Sequence, residues 1–369
     1  MKIAILGTRG IPNYYGGFEQ FAEYFAMYLR QNDYQVYVYC SSNHPFKEPN
    51  YRGIELIHCL DPEKSVGTVG QFIYDLNCIL DARKRNFDVI LQLGYTSSSI
   101  WHKLLPKKAT IITNMDGLEW KRSKYNALVQ RFLKVAEKWA VKSSHYLISD
   151  SLGIQDYLKN RYNVNSKYIA YGAEPFTNPN SKILVQYNLI PQSYNMLIAR
   201  MEPENNIETI LDGVVLSGSD LPFLVIGKHD TNKFGRYLKN KYKGINTIYF
   251  MGGIYDIDIL NNLRHYSNLY FHGHSVGGTN PSLLEAMASG SLIVAHDNEF
   301  NRAIINSNGY FFKTAEEVSK HINTLQKQKY LNLVHNCTDL IKNTYSWQNI
   351  NKEYADYINE CYKENNQLS

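Results

Sequence analysis

Residues 1–29, MKIAILGTRGIPNYYGGFEQFAEYFAMYL, open with the apolar run Lys2–Leu6, cross a loop holding Gly7, Gly10, Gly16 and Gly17, and continue as an amphipathic stretch. Strand, glycine loop, helix is the first unit of a parallel α/β sheet. A dinucleotide fingerprint would need G-x-G-x-x-G directly after the strand and an acid about 20 residues on. Here nine residues separate Gly7 from Gly17, so that fingerprint fails and a nicotinamide dehydrogenase is disfavoured. The loop instead brings two adjacent glycines to a helix entrance. Bare amides and the positive end of the helix dipole there suit an anion or a closely packed sugar; glycines serving only tight turns are the alternative.

Outward from this unit the pattern repeats. KIAIL, QVYVYC, IELIHC, DVILQL, TIITNM, HYLIS and KYIAYG alternate with amphipathic segments such as 18–31 and 126–142. The polar stretch EPFTNPNSK breaks the rhythm, and NMLIAR, PFLVIG, TIYFMG, NLYFHGH and SLIVAHD form a second series. The sequence therefore predicts two doubly wound α/β halves, residues 1–172 and 195–345, joined near 173–194. The helical segment around 350–366 is expected to pack back on the first half. Ligands of such sheets sit at the carboxyl ends of strands, and two sheets can face one cleft.

No run approaches the roughly 18 apolar residues that a spanning helix needs. The first apolar run is too short for a signal-peptide core and reads as a strand. Five cysteines, an odd number without a C-x-x-C pair, suggest neither a disulfide framework nor zinc, and a reducing cytoplasm is expected. The net charge of +5 is unevenly spread: residues 101–145 hold ten Lys or Arg against Asp116, Glu119 and Glu137, with three of the four tryptophans. On the helix expected over 126–142, Arg131, Lys134, Lys138 and Lys142 share one side opposite an apolar face. This is either a surface for anionic lipid or a solvated face beside core tryptophans. No nucleic-acid partner is expected.

Residues 272–290, HGHSVGGTNPSLLEAMASG, carry the chemistry of the second half. Pro281 suits the first helical turn, Asn280 the cap before it, and Gly277 and Gly278 leave the preceding amides open to a diphosphate. Glu285, one turn in, suits ribose hydroxyls. Arg200, at the end of a strand in IARMEPENN, suits phosphate oxygens. His272 and His274 lack partner ligands and read as lining residues rather than a metal site.

The motifs GTRGIPNYYGGFE, NMDGLEWKR, ARMEPENN and GGTNPSLLEAMA together resemble the retaining GT-B glycosyltransferases of family four, in particular a bacterial branch with rhamnosyltransferases of capsule and cell-wall polysaccharide assembly. The resemblance spans essentially the whole chain. It implies two Rossmann-like domains facing a cleft, with the nucleotide sugar on the C-terminal domain and the acceptor on the N-terminal one. Gly16 and Gly17 then belong to the loop approaching the donor phosphates and transferred sugar. Arg200 resembles the diphosphate-binding Arg and Glu285 the ribose-binding Glu. Gly278, Thr279 and Asn280 would offer phosphate amides, and Ile254 with Tyr255 the segment against the nucleobase. Two positions depart from the family. Asn205 stands where a diphosphate-binding Lys is usual, with Lys228 or Arg9 as possible replacements, and Gly277 stands where a Glu usually holds hydroxyls of the transferred sugar.

Retaining enzymes of this kind are thought to react on one face of the sugar, with a leaving phosphate oxygen accepting the acceptor's proton. Protein groups then neutralise the diphosphate and orient both substrates, without a metal or other cofactor. Asp116 and Glu119 are the expected acceptor-orienting residues; capping of the following helix by this segment is the alternative. The expected reaction transfers L-rhamnose from dTDP-rhamnose to a polyprenyl-diphosphate-linked saccharide at the inner face of a bacterial membrane, the protein attaching peripherally through segment 101–145. A D-hexose from a UDP- or GDP-sugar, a nucleotide-sugar epimerase, a phosphorylase and a non-catalytic scaffold subunit are the rivals.

Overall fold

The computed structural model describes residues 1–14, 16–122 and 125–368, so Tyr15 of the first motif and Ser123 and Lys124 of the segment 101–145 lie outside the described residues. The chain forms two compact units. One comprises residues 1–121, 125–171 and 347 onward, and the other Gly172–Ser346 together with Arg122.

The first unit is built on β1 (Lys2–Leu6), β2 (Gln35–Ser41), β3 (Asn50–Tyr51), β4 (Ile54–Cys59), β5 (Val89–Leu93), β6 (Thr110–Asn114), β7 (Tyr146–Ser149) and β8 (Lys167–Tyr168), hydrogen-bonded in the order β3-β4-β2-β1-β5-β6-β7-β8. All pairs are parallel except β3 with β4. Every residue of β5 and β6 is buried, the signature of strands covered on both faces. The helix Gly17–Gln31 buries Phe21, Phe25 and Leu29 at four-residue spacing. Tyr354, from the long helix Trp347–Leu368, packs its ring at a tilt against Phe21 and Phe25, at 4.5 and 5.4 Å between ring centroids. On the opposite side, Tyr74, Cys78, Ile79 and Ala82 of the helix Val69–Ala82 close the core with Ala4, Leu6 and Ile90.

The second unit holds β9 (Asn195–Ile198), β10 (Phe223–Ile226), β11 (Ile248–Gly252), β12 (Leu269–His272), β13 (Ile293–His296) and β14 (Tyr310–Phe312), all parallel, in the order β11-β10-β9-β12-β13-β14. Its core joins Leu197, Phe223, Val225, Phe271 and Val294 of the sheet to Ile207, Ile210, Leu211 and Val214 of one helix.

Two strands escape the sequence pattern. β14 has three residues, too few for periodicity to register. β3 has two, and turns into β4 through Arg52 and Gly53 at φ of 51° and 84°, the backbone of a tight hairpin. In each sheet the strand order reverses at one place, between β1 and β5 and between β9 and β12, and loops leaving such strands diverge to leave a crevice.

Candidate functional site

β9 and β12 are neighbours, with Phe271 opposite Leu197, so the loops that follow them run side by side. They are stitched at backbone level: the Ser275 amide donates to the Glu204 carbonyl at 3.1 Å, and the Asn206 side chain to the Gly273 carbonyl at 2.7 Å. A Cβ on Gly273 would stand 1.9 Å from the Asn205 carbonyl oxygen, so only glycine permits this approach. Asn205, 7% exposed, donates through Nδ2 to the Arg200 carbonyl at 2.7 Å, and its Oδ1 lies 2.8 Å from His274 Nδ1. Arg200 itself is exposed. Asn205 therefore ties the Arg200 turn to the glycine loop instead of adding a charge.

Gly277 has φ of 119°, a conformation that disfavours a side chain. Past Gly278 and the buried Thr279 the chain enters the helix Pro281–Ala288, capped by Asn280, whose Oδ1 accepts from the Ser282 amide at 2.9 Å. Glu285 sits one turn in, and its Oε2 accepts from Arg264 Nη2 at 2.6 Å. Arg264 is fully buried and also donates to Asn261, so it fixes the carboxylate. Burial pushes the His272 ring well below the usual histidine range and the His274 ring down to about 4, leaving both neutral.

At the end of β10, Lys228 Nζ lies 5.3 Å from the centroid of the Tyr255 ring, a cation–π arrangement. Tyr255 is 75% exposed. Thus Arg200, Lys228, Tyr255, Gly277, Gly278, Thr279, Asn280 and Glu285 all fall on loops or helix starts after parallel strands of this one sheet.

In the first unit, Gly7 turns at φ of 85°, where a Cβ would stand 2.2 Å from the Leu93 carbonyl oxygen of the neighbouring strand. Glu19, buried, accepts from the Arg9 amide at 2.8 Å and from the Thr8 hydroxyl at 3.3 Å, folding the loop onto the helix start. Gly16 is the extended N-cap and Gly17 the first helical residue. The Arg9 guanidinium bonds to Asp61 and Glu63, and the bond to Arg9 holds the Glu63 carboxyl below its usual range.

Asp116 follows β6 at φ of 50°, and its amide donates to Asn114 Oδ1 at 2.8 Å. Asn114 in turn donates to the Tyr354 hydroxyl at 2.8 Å. Asp150, buried just after β7, has its carboxyl pushed well up by burial and then by the charge of Asp116. Glu119 begins a short 3₁₀ turn, Glu119–Lys121. The helix Ala127–Ser143 is capped by Asn126, whose side chain accepts from the Val129 amide, so the DGLE segment does not cap it.

Arg131, Lys134, Lys138 and Lys142 are exposed on that helix, with Leu128 and Val135 exposed among them. Lys134 Nζ lies 4.3 Å from the Trp120 ring centroid. On its buried side Glu137 accepts hydrogen bonds from the hydroxyls of Tyr95, Tyr157 and Tyr162 at 3.2, 2.8 and 2.6 Å. Sequence reasoning missed Glu19, Glu137, Asp150, Asn205's bridging role and Arg264. The one available signal was Glu137, an acid among the apolar positions of an amphipathic helix.

Residues 1–174 match a domain of unknown function (DUF1972), and residues 190–347 match Glycosyl transferases group 1. An uncharacterized glycosyltransferase of Methanocaldococcus jannaschii is 23% identical over 382 residues, covering 93% of this chain and 95% of its own. Sucrose-phosphate synthase from Thermosynechococcus elongatus superposes with a TM-score of 0.81 at 14% identity, covering 98% of this chain and 99% of that one. Anabaena HepE, crystallised with UDP and glucose, gives 0.78 at 18% identity, covering 98% and 100%. The chain therefore has the two-domain α/β GT-B fold, its second series of strands lying within the stretch that matches Glycosyl transferases group 1.

Proposed function

We propose that this protein is a glycosyltransferase that takes its donor, a nucleotide sugar, at the carboxyl edge of the second sheet. The observation that carries the reading is the pairing of β9 with β12 at the point of strand reversal. It gathers Arg200, the turn at Gly277 and Gly278, and the capped helix holding Glu285 in one unit. Arg200 and the amides before Pro281 neutralise the diphosphate. Glu285, fixed by Arg264, accepts from ribose hydroxyls, and Tyr255 lies against the base. HepE's complex with UDP supports a nucleotide donor.

The finer reading is transfer of L-rhamnose from dTDP-rhamnose with retention, without a metal, to a polyprenyl-diphosphate-linked saccharide. A phosphate oxygen leaves the anomeric carbon and takes the acceptor hydroxyl's proton as that hydroxyl's oxygen forms the new bond. Asp116 and Glu119 orient the acceptor. Gly277 motivates the deoxyhexose, since no carboxylate at that position holds sugar hydroxyls. Transfer of a D-hexose from a UDP-sugar is the second reading, favoured by HepE's complex with UDP-glucose. The exposed basic face of Ala127–Ser143 would hold the protein at the inner surface of the cell membrane.

The test is donor consumption with dTDP-, UDP- and GDP-sugars and a synthetic polyprenyl-diphosphate GlcNAc or Glc acceptor, read by mass spectrometry with and without EDTA. Addition of one deoxyhexose, unaffected by EDTA and lost in Arg200→Ala, supports the full reading. Addition of a hexose keeps the class and discards the role given to Gly277. Absence of turnover with every donor moves the reading to a scaffold subunit.

A further inference from the structure

Within the second unit, a chain of two hydrogen bonds decides which nitrogen of His274 carries its proton. The Asn205 Nδ2 group is committed to the Arg200 carbonyl at 2.7 Å, so the atom it turns toward His274 Nδ1, at 2.8 Å, is the acceptor Oδ1. An acceptor there requires Nδ1 to be the protonated nitrogen. Nε2 of the neutral ring is then a lone pair. It lies 3.3 Å from where a Cβ of Gly277 would stand, against the glycine turn.

The groups around the ring act on its proton in both directions. Burial first, then the Arg122 and Arg200 guanidinium groups, oppose a proton on the ring, while Glu204 and the Val276 carbonyl favour one. His272 stands 6.0 Å away between centroids, and its buried Nε2 meets no hydrogen-bonding partner among the described residues. From the helix Glu299–Ile305 and its cap, Asn301 and Asn298 donate to the His274 carbonyl at 2.9 and 3.0 Å and hold the loop in place.

Resting on the nucleotide-sugar reading above, we propose that His274 is a proton-linked ligand of the donor diphosphate, taking a proton from solvent at Nε2 as the diphosphate settles on the glycine turn. A fixed cation at position 205 is thereby replaced by a conditional one. The diphosphate brings two negative charges beside Arg200, removes the opposition to the imidazolium, and receives a third donor. Donor binding then consumes a proton and departure of the nucleotide returns it.

Calorimetric titration of the full chain at pH 7 tests this with UDP-glucose and dTDP-rhamnose, whose diphosphate diesters have no proton titrating near neutrality, in two buffers of different ionisation enthalpy. The expected result is uptake of a sizeable fraction of one proton per site for the donor that binds, with affinity about tenfold higher at pH 6 than at pH 8. Both effects vanish in His274→Gln. Should that variant not fold, the histidine ring NMR signals of the wild type, followed against pH with and without the nucleotide sugar, read the same proton. Binding without proton uptake, or equal uptake in His274→Gln, overturns the role of His274 and leaves the donor site standing. Failure of both nucleotide sugars to bind overturns the donor site and this inference together.

Discussion

Arg264 and Glu285 form an ion pair of unequal depth: the two side chains meet at 2.6 Å, the guanidinium 1% exposed and the carboxylate 20% exposed. The buried partner holds the more exposed one in position. Removing the carboxylate strands a buried cation, so Glu285→Ala should lower stability by about 3 kcal/mol and weaken nucleotide-sugar binding at least about tenfold. Chemical denaturation and calorimetry read the two effects separately; unchanged stability would mean that Arg264 finds another anion.

Gly273 tests the juxtaposition of the two loops. Gly273→Ala drives a methyl to within 1.9 Å of the Asn205 carbonyl, which forces the loops apart at a cost of about 1–3 kcal/mol. Thermal unfolding should report that loss, and nucleotide-sugar affinity should fall with it.

Glu137 tests the packing beneath the helix Ala127–Ser143 of the first unit. Three tyrosine hydroxyls donate to this carboxylate, and Glu137→Ala leaves them without it inside the unit. A loss of about 3 kcal/mol or more is expected from urea midpoints. Glu137→Gln, which keeps the shape and an acceptor, should cost less.

Asp75 gives a pH signature. Burial pushes its carboxyl up to about 6, with Ser97 and Arg9 pulling it down. A raised acid binds its proton more tightly in the folded state, so its contribution is most favourable below the ordinary aspartate range and declines as pH rises to about 6. Asp75→Asn should remove that decline, lowering stability at pH 4 relative to pH 7 by about 2 kcal/mol compared with the wild type. Urea midpoints at several pH values check the direction.

The exposed basic helix gives a membrane prediction. Arg131→Glu, Lys138→Glu and Lys142→Glu together leave Lys134 over Trp120 and reverse the remaining charge of that face. Co-sedimentation with vesicles containing phosphatidylglycerol should drop roughly tenfold or more at low salt, and added salt should release the wild type. Equal binding by both proteins would remove this face from the interaction.

Much of the architecture was legible because parallel strands buried on both faces write themselves as continuous apolar runs, as Val89–Leu93 and Thr110–Asn114 do. The turn and helix start after β12 were legible for a related reason: Gly277, Asn280 and Pro281 each answer a local backbone demand that shows in one dimension. What stayed hidden depends on partners distant in sequence. Nothing near Asn205 announces its bond to His274, and nothing near Glu285 announces Arg264, 21 positions earlier. Glu137 meets tyrosines from 42 positions before it to 25 after it, a convergence that only the folded chain displays.

The helix Trp347–Leu368 carries a consequence for the order of synthesis. Tyr354 fills the apolar face of Phe21 and Phe25 and receives the hydrogen bond from Asn114, next but one to Asp116. A ribosome makes that helix after the whole of the second unit. The unit begun first is thus finished last: its opening 171 residues must wait with an aromatic face uncovered while the intervening unit is made and folds. Expression of residues 1–171 alone would leave this face to chaperones or to aggregation, whereas the second unit, contiguous from Gly172 to Ser346 apart from the short stretch at Arg122, has no such dependence on a later segment.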